Sequence, residues 1–384
     1  SPDDLTGQNA FVHLEVDGSR SAPQDMQSVM DVIEWQSEGG ESIGNPERFN
    51  PDPDFLAMLQ ATNRARGNIR PGAFERFDLS AFEENAPEEK NVFTPPNLNA
   101  LDDEFLIPNL DAIPVRNQGS RGTCAAFTGI GHIEYAVLEA VTGLETIDLS
   151  EQRFYYNSKP ECQQGGCTRS DAGSWHGTGM EASIDAADFD IPLEADCPYN
   201  PNQLSDEVQF PQPESCDNGA VRIEEISVVY QPTEIIEILE TRGLPVPYAS
   251  PLSDNYMFTD GLITLADAGA QGEGMHGGGH AYLIVGYRKL PNMPEEGGMC
   301  FVIKNSWGTG WGVDGYACMT LAWMQEWNYG YAMDNPIVMS IAVREDIVAQ
   351  GTEADDELPD WVDEETNADE TIDYDRIDED EVIP

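Results

Sequence analysis

Gln118-Gly119-Ser120-Arg121-Gly122-Thr123-Cys124-Ala125-Ala126-Phe127 carries a polar, glycine-broken loop into an apolar segment, with a single cysteine at the junction. From Ala125 to Leu138, apolar residues at Phe127, Ile130, Ile133, Ala136, Val137 and Leu138 recur close to helical spacing, which predicts a buried helix starting at Cys124. The free N–H groups and positive dipole end of such a start favour a thiolate over a thiol. Standing alone, the cysteine would read as a small buried hydrophobe. Two further stretches supply partners. His280-Ala281-Tyr282-Leu283-Ile284-Val285-Gly286-Tyr287 opens a β-branched run on a histidine and predicts a buried strand. Ile303-Lys304-Asn305-Ser306-Trp307-Gly308 ends another apolar run in an amide, an indole and a glycine turn.

A thiolate, an imidazole that can deliver a proton, and a third group that orients the imidazole form a nucleophilic site. Gln118, six residues before the cysteine, is a candidate donor to an oxyanion. Gln-Gly-x-x-Gly-x-Cys, His-Ala and Asn-Ser-Trp-Gly, in that order, resemble the papain family of cysteine peptidases, and Leu149-Ser150-Glu151-Gln152 adds a further block. The resemblance covers roughly residues 100 to 345. It implies that Cys124 is the nucleophile, His280 the general acid and base, Asn305 the group holding the imidazole, and Gln118 the oxyanion donor. Trp307 would shield the Asn305–His280 hydrogen bond. Gly177 matches the glycine whose backbone pairs with extended substrate, and Ala249 and Ala281 match small residues lining the main specificity pocket. Arg121 replaces a cysteine that forms a disulfide in plant and animal members, Ala125 replaces a Trp, and Thr123 a Ser; the Arg-Gly-Thr-Cys version looks more like bacterial and archaeal branches.

What the resemblance implies is an α+β fold of two lobes, helical over about 101–216 and an antiparallel β-barrel over about 217–345, with the cleft between them. The implied activity is hydrolysis of peptide bonds in peptide or protein substrates through a thioester, with no metal or other cofactor. Two other classes share the residues: a silent binding or assembly protein with this fold, and a peptide ligase that excludes water. Labelling by an epoxide-type thiol reagent, lost in Cys124→Ala, separates an enzyme from a binding module; an added amine nucleophile separates hydrolase from ligase.

Charge is the outlier of the composition: 71 acidic residues face 19 basic ones, a net of −52, and the lysines are only Lys90, Lys159, Lys289 and Lys304. Nucleic acid is disfavoured as a partner, because phosphate contacts need clustered Lys and Arg. Such self-repulsion opposes compaction unless salt screens it, and the scarcity of lysine resembles proteins of halophiles; an acidic protein with a solvating tail is the alternative. No apolar stretch approaches the ~20 residues of a membrane span. A start at Ser1-Pro2-Asp3 implies that a leader was removed or the chain shortened.

Setting Cys124 aside leaves Cys162, Cys167, Cys197, Cys216, Cys300 and Cys318. Family analogy pairs Cys162 with Cys216 and Cys167 with Cys197, while Cys300 and Cys318 flank the Asn305 hairpin on facing strands. Three disulfides beside one reactive thiol fit a secreted or cell-surface setting; zinc at Cys162 and Cys167 is a rival that lacks a second close ligand pair.

Residues 1–98 do not match the peptidase blocks and form an N-terminal extension, with helical spacing at Gln24–Trp35 and Asp54–Arg66. Family members are commonly made as zymogens, so this stretch would be a propeptide inhibiting the enzyme from within the chain, cut in the loop Glu83–Pro96, or else an unrelated accessory segment. The peptidase domain spans 99–345. Within it, Ser150 is placed to cap a second helix and Met180–Phe189 reads as a third. Strands are predicted at Val221–Ile223, Ile226–Tyr230, Pro245–Ala249, His280–Tyr287, Cys300–Lys304, Tyr316–Met319 and Ile337–Val343, with a short helix at Ile235–Glu240. His276 and His280 form a His-x-x-x-His segment, but its three glycines argue against the helix that would bring both to one metal. His13 and His132 have no partner pattern. Residues 346–384 form an acidic tail whose composition predicts disorder.

Overall fold

A computed structural model describes residues 11–16, 27–38, 93–119, 121–159, 190–201, 214–257, 259–266, 275–327 and 335–355. Strand β1 (Phe11–Glu15) and helix α1 (Gln27–Ser37) come first, then strand β2 (Glu104–Leu106). Helix α2 (Cys124–Ala140) begins at the cysteine, as its spacing predicts, and α3 (Glu151–Asn157) follows. Next are strands β3 (Ile191–Pro192) and β4 (Gly219–Val229), helix α4 (Pro232–Arg242), strand β5 (Val246–Ser253), the single turn α5 (Asp254–Met257) and strand β6 (Leu262–Ile263). Strands β7 (Met275–Lys289), β8 (Met299–Lys304) and β9 (Tyr316–Thr320), helix α6 (Leu321–Trp327), strand β10 (Asn335–Arg344) and helix α7 (Glu345–Asp355) complete the described chain.

Helix α2 is the centre. Every residue from Ala125 to Glu139 is buried, as an apolar helix enclosed on all sides must be. Gly131 admits strand β7, since a Cβ there would stand 3.0 Å from Leu283 Cδ1. His132 ties the helix to both sheets: Nδ1 donates to Pro245 O at 2.8 Å and Nε2 accepts from Val338 N at 2.9 Å. Ser150 caps α3, its Oγ accepting from Arg153 N at 3.0 Å. Helix α4 extends beyond Ile235–Glu240 because Gln231 and Glu234 form a capping box and Gly243 closes its end.

The helical and β lobes of the α+β fold are present, but the β lobe is not a closed barrel. Its strands form two sheets, in the orders β1-β10-β4-β3 and β2-β7-β8-β9-β6, with β5 also paired to β7. Strand β1 takes the free edge of β10, and β3 that of β4, so those edges cannot close on the other sheet. Strand β6 joins β9 in parallel, so the lobe is not wholly antiparallel. Strand β4 is continuous where two strands are predicted: Glu224 and Glu225 face solvent, and register shifts opposite them in β10 absorb the break.

The disulfides are Cys197–Cys216 and Cys300–Cys318. The second is the expected pair, facing across β8 and β9. The first overturns both Cys162–Cys216 and Cys167–Cys197, because the turn Glu214–Asp217 brings Cys216 onto the segment beside Cys197. Cys162, Cys167, Gly177 and the helices read at Asp54–Arg66 and Met180–Phe189 lie outside the described residues. Helix α7 occupies the first part of the acidic end, with Ile347 buried. No helix of the described residues is long and apolar enough to cross a membrane.

Candidate active site

Strand β7 presents His280 opposite Ser250 of β5, and β8 delivers Asn305 at its end. Both side chains are buried. His280 Nε2 lies 2.7 Å from Asn305 Oδ1, and the backbone N–H of Ser306 donates to the same oxygen at 2.8 Å. The second bond fixes the amide with its oxygen toward the ring, so Nε2 carries the hydrogen and Nδ1 is the basic nitrogen. Trp307 lies over the imidazole with ring centroids 4.4 Å apart, and Tyr256 meets both rings edge-on at 5.8 Å.

Cys124 packs on Ala125, Ala249 and Ala281, the last two opposite each other in β5 and β7. The backbone N–H groups of Ala281 and Ala125 act on its sulfur. The nucleophile candidate thus sits against the residue that follows His280. Burial pushes the thiol up, against the pull of those N–H groups. Burial pushes the imidazole down to about 4, against its bond to Asn305. Taken singly, each shift favours the uncharged group, opposite to what the helix start alone predicts. A proton passed from sulfur to ring would leave the site's net charge unchanged.

Gln118 is buried beside them. Its Oε1 accepts from Ser306 Oγ at 2.7 Å and its Nε2 donates one hydrogen to Arg121 O at 2.7 Å, which leaves the second N–H for a ligand. Its backbone N–H donates to Ser306 O at 2.9 Å, so the loop before the cysteine is stitched to the turn after Asn305.

Several supporting groups escape sequence reasoning. Tyr199 OH donates to Gln118 O at 2.8 Å and lies 2.7 Å from Thr123 Oγ1, immediately before the cysteine. Arg121, in place of a disulfide cysteine, is buried between the rings of Tyr155 and Tyr199 at 5.3 and 5.0 Å and donates to Gln152 Oε1 and Asn200 O. Deeper in, Arg116 binds Glu134 of α2, Asp148 and Glu151 of α3 at 2.6–2.7 Å. Burial raises Glu134 to about 8 despite Arg116. Lys304, next to Asn305, is pulled down by burial to about 7. Charged residues inside an apolar helix and strand were the available signal for this cluster.

His276 and His280 both lie on β7, opposite Leu252 and Ser250 of β5. Among the described residues no group of three or more His, Cys, Asp and Glu is placed to hold a metal.

The model of the papain family of cysteine proteases matches residues 108–334. The viral cathepsin of Orgyia pseudotsugata multicapsid polyhedrosis virus is 31% identical over 213 residues, 53% of this chain and 54% of its own length. Cysteine proteinase A of Leishmania mexicana is 29% identical over 209 residues, 53% and 50% of the two chains. The chain therefore spans about half the length of these relatives, and they give no support to a bacterial or archaeal branch. Among solved structures, the proform of the ragweed pollen cysteine protease Amb a 11 aligns at TM-score 0.44 and 18% identity over 82% of this chain and 94% of that one. Bromelain from Ananas comosus, in complex with the E64 inhibitor, aligns at 0.41 and 19% over 62% and 99%. With the family model spanning more than half of its residues and the cysteine, histidine and asparagine blocks folded together, this chain belongs to the papain family of cysteine proteases.

Proposed function

We propose that the chain is a cysteine endopeptidase that hydrolyses peptide bonds. The observation that carries this is the 2.7 Å bond from His280 Nε2 to Asn305 Oδ1, with Cys124 packed on Ala281. In the reaction, His280 Nδ1 takes the thiol proton and the sulfur attacks the scissile carbonyl. The second N–H of Gln118 and the backbone N–H of Cys124 hold the oxyanion. The imidazolium then protonates the leaving amine, which departs and leaves a thioester. Water, deprotonated by the same imidazole, releases the acid and restores the sulfur. Asn305 keeps the ring in the tautomer that each step needs, and Trp307 excludes water from the bond between them. Ala249 and Ala281 would leave room for an apolar side chain of the substrate, and Gly177 would pair with its backbone.

On this reading the peptidase domain spans 99–345, with an N-terminal extension over 1–98 that inhibits it and the acidic stretch 346–384 after it. The −52 net charge supports a salt-adapted protein, and the two buried disulfides support a secreted or cell-surface one. The test is incubation of the purified chain with a peptide library over a salt series, followed by mass spectrometry, with and without an epoxide thiol reagent. Cleavage that needs salt and disappears in Cys124→Ala is expected. Labelling without cleavage in any salt overturns the hydrolase, and neither labelling nor cleavage overturns the enzyme.

A further inference from the structure

The first described elements are built into the peptidase fold and not laid along its cleft. Strand β1 pairs with β10 from Phe11 opposite Arg344 to Glu15 opposite Ser340, and Val16 N continues the ladder to Met339 O at 3.3 Å. Arg242 Nη1 donates to Val16 O at 3.0 Å. Val16, and Val29, Met30 and Ile33 of helix α1, are buried in the same core that holds α2 and both sheets. Glu34 pairs with Arg288 of β7 at 2.9 Å, and Gln36 Nε2 donates to Asp260 Oδ1 at 3.1 Å.

The receiving surface is shaped for this helix. Gly261 has φ +153°, and a Cβ there would stand 2.8 Å from Gln36 Oε1 and 3.2 Å from Val32 Cγ1. Gly261 O in turn accepts from Cys318 N at 2.7 Å, next to the strand pair β6–β9. None of the hydrogen bonds or ion pairs described for residues 11–38 reaches Cys124, His280, Asn305 or Gln118.

We propose that residues 11–38 are a permanent part of the mature enzyme. A cut in the loop Glu83–Pro96 would then yield two chains that stay together, the first covering the edge of β10 and packing against Asp260 and Gly261. This refines the zymogen proposal above: any inhibitory part must lie outside residues 11–38. The docking itself does not depend on catalysis.

The experiment uses the full chain as Cys124→Ala, with a recognition site for a sequence-specific protease placed between Asn85 and Pro96. After cutting in high salt, native size exclusion and denaturing mass spectrometry follow the two pieces. Co-elution in equal amounts is expected, and elution of the piece holding residues 11–38 apart from the core overturns the proposal. The same cut in Met30→Asp/Ile33→Asp should release that piece; persistent co-elution there would overturn the docking face. Because this protein has no nucleophile, a failed peptidase proposal leaves the result unaffected. In the wild-type protein, the species labelled by the epoxide reagent after self-processing should retain residues 11–38 by mass, and a labelled core without them overturns retention.

Discussion

The phenol of Tyr199 donates a hydrogen bond to the carbonyl of Gln118 at 2.8 Å, although 81 residues separate them in the chain. The same hydroxyl meets Thr123, so one ring braces both the proposed oxyanion donor Gln118 and the start of the helix that opens on Cys124. Tyr199→Phe removes both bonds and keeps the edge contact with Phe127. We expect kcat to fall about 5- to 10-fold, with KM little changed and the unfolding midpoint lowered by the two lost bonds. An unchanged kcat with a lowered midpoint would show that Tyr199 serves folding alone.

Asn305→Ala takes away the acceptor for His280 Nε2. A hydrogen bond to a group that becomes charged is worth about 1.5–3 kcal/mol, so kcat should drop about 10- to 100-fold. Steady-state kinetics beside a burst measurement of acyl-enzyme would check this. Wild-type kcat in the variant would remove Asn305 from the site.

Arg116 and Glu134 should respond unequally to substitution. Arg116→Met leaves buried carboxylates without their cation and should cost about 3–5 kcal/mol in urea unfolding. Glu134→Gln removes one of the three carboxylates that Arg116 binds and keeps an acceptor for the Leu149 N–H, so it should cost less, about 1–2 kcal/mol. Equal losses in the two variants would mean that Arg116 acts through Glu134 alone.

His132 sets a pH limit. Both of its nitrogens are engaged, Nε2 as an acceptor, and burial lowers it from 6.5 to about 4. The sign follows: the neutral ring's contribution is complete above 6.5 and is lost as pH falls through the window down to about 4. Between about pH 7 and pH 5 it amounts to about 2 kcal/mol. Protonating carboxylates in so acidic a chain acts in the opposite direction, so the ring itself must be followed. The His132 proton resonances should stay flat down to about pH 5, and a midpoint near 6.5 would refute the assignment.

The three candidate site residues stood out because each lies at the edge of a strong local pattern: Cys124 where a loop meets a helix, His280 and Asn305 where apolar runs meet glycine. The helix start, the Ser150 cap and the Cys300–Cys318 pair were legible for the same reason. Tyr199 was not, since nothing around Cys197-Pro198-Tyr199 marks a partner 81 residues back. Closure of the sheets also escaped, because it turned on which distant strand takes the β10 edge, and β1 lies more than 300 residues away in sequence. The Cys197–Cys216 bond escaped because spacing alone admits many pairings.

A guanidinium wedged between two phenols has no bond that a thiol can exchange. Reductants strong enough to rescue an oxidised Cys124 would therefore leave the Arg121 seat of its loop untouched, while Cys197 and Cys216 are buried away from them. In this protein the chemistry that revives the sulfur is uncoupled from the chemistry that holds it in place.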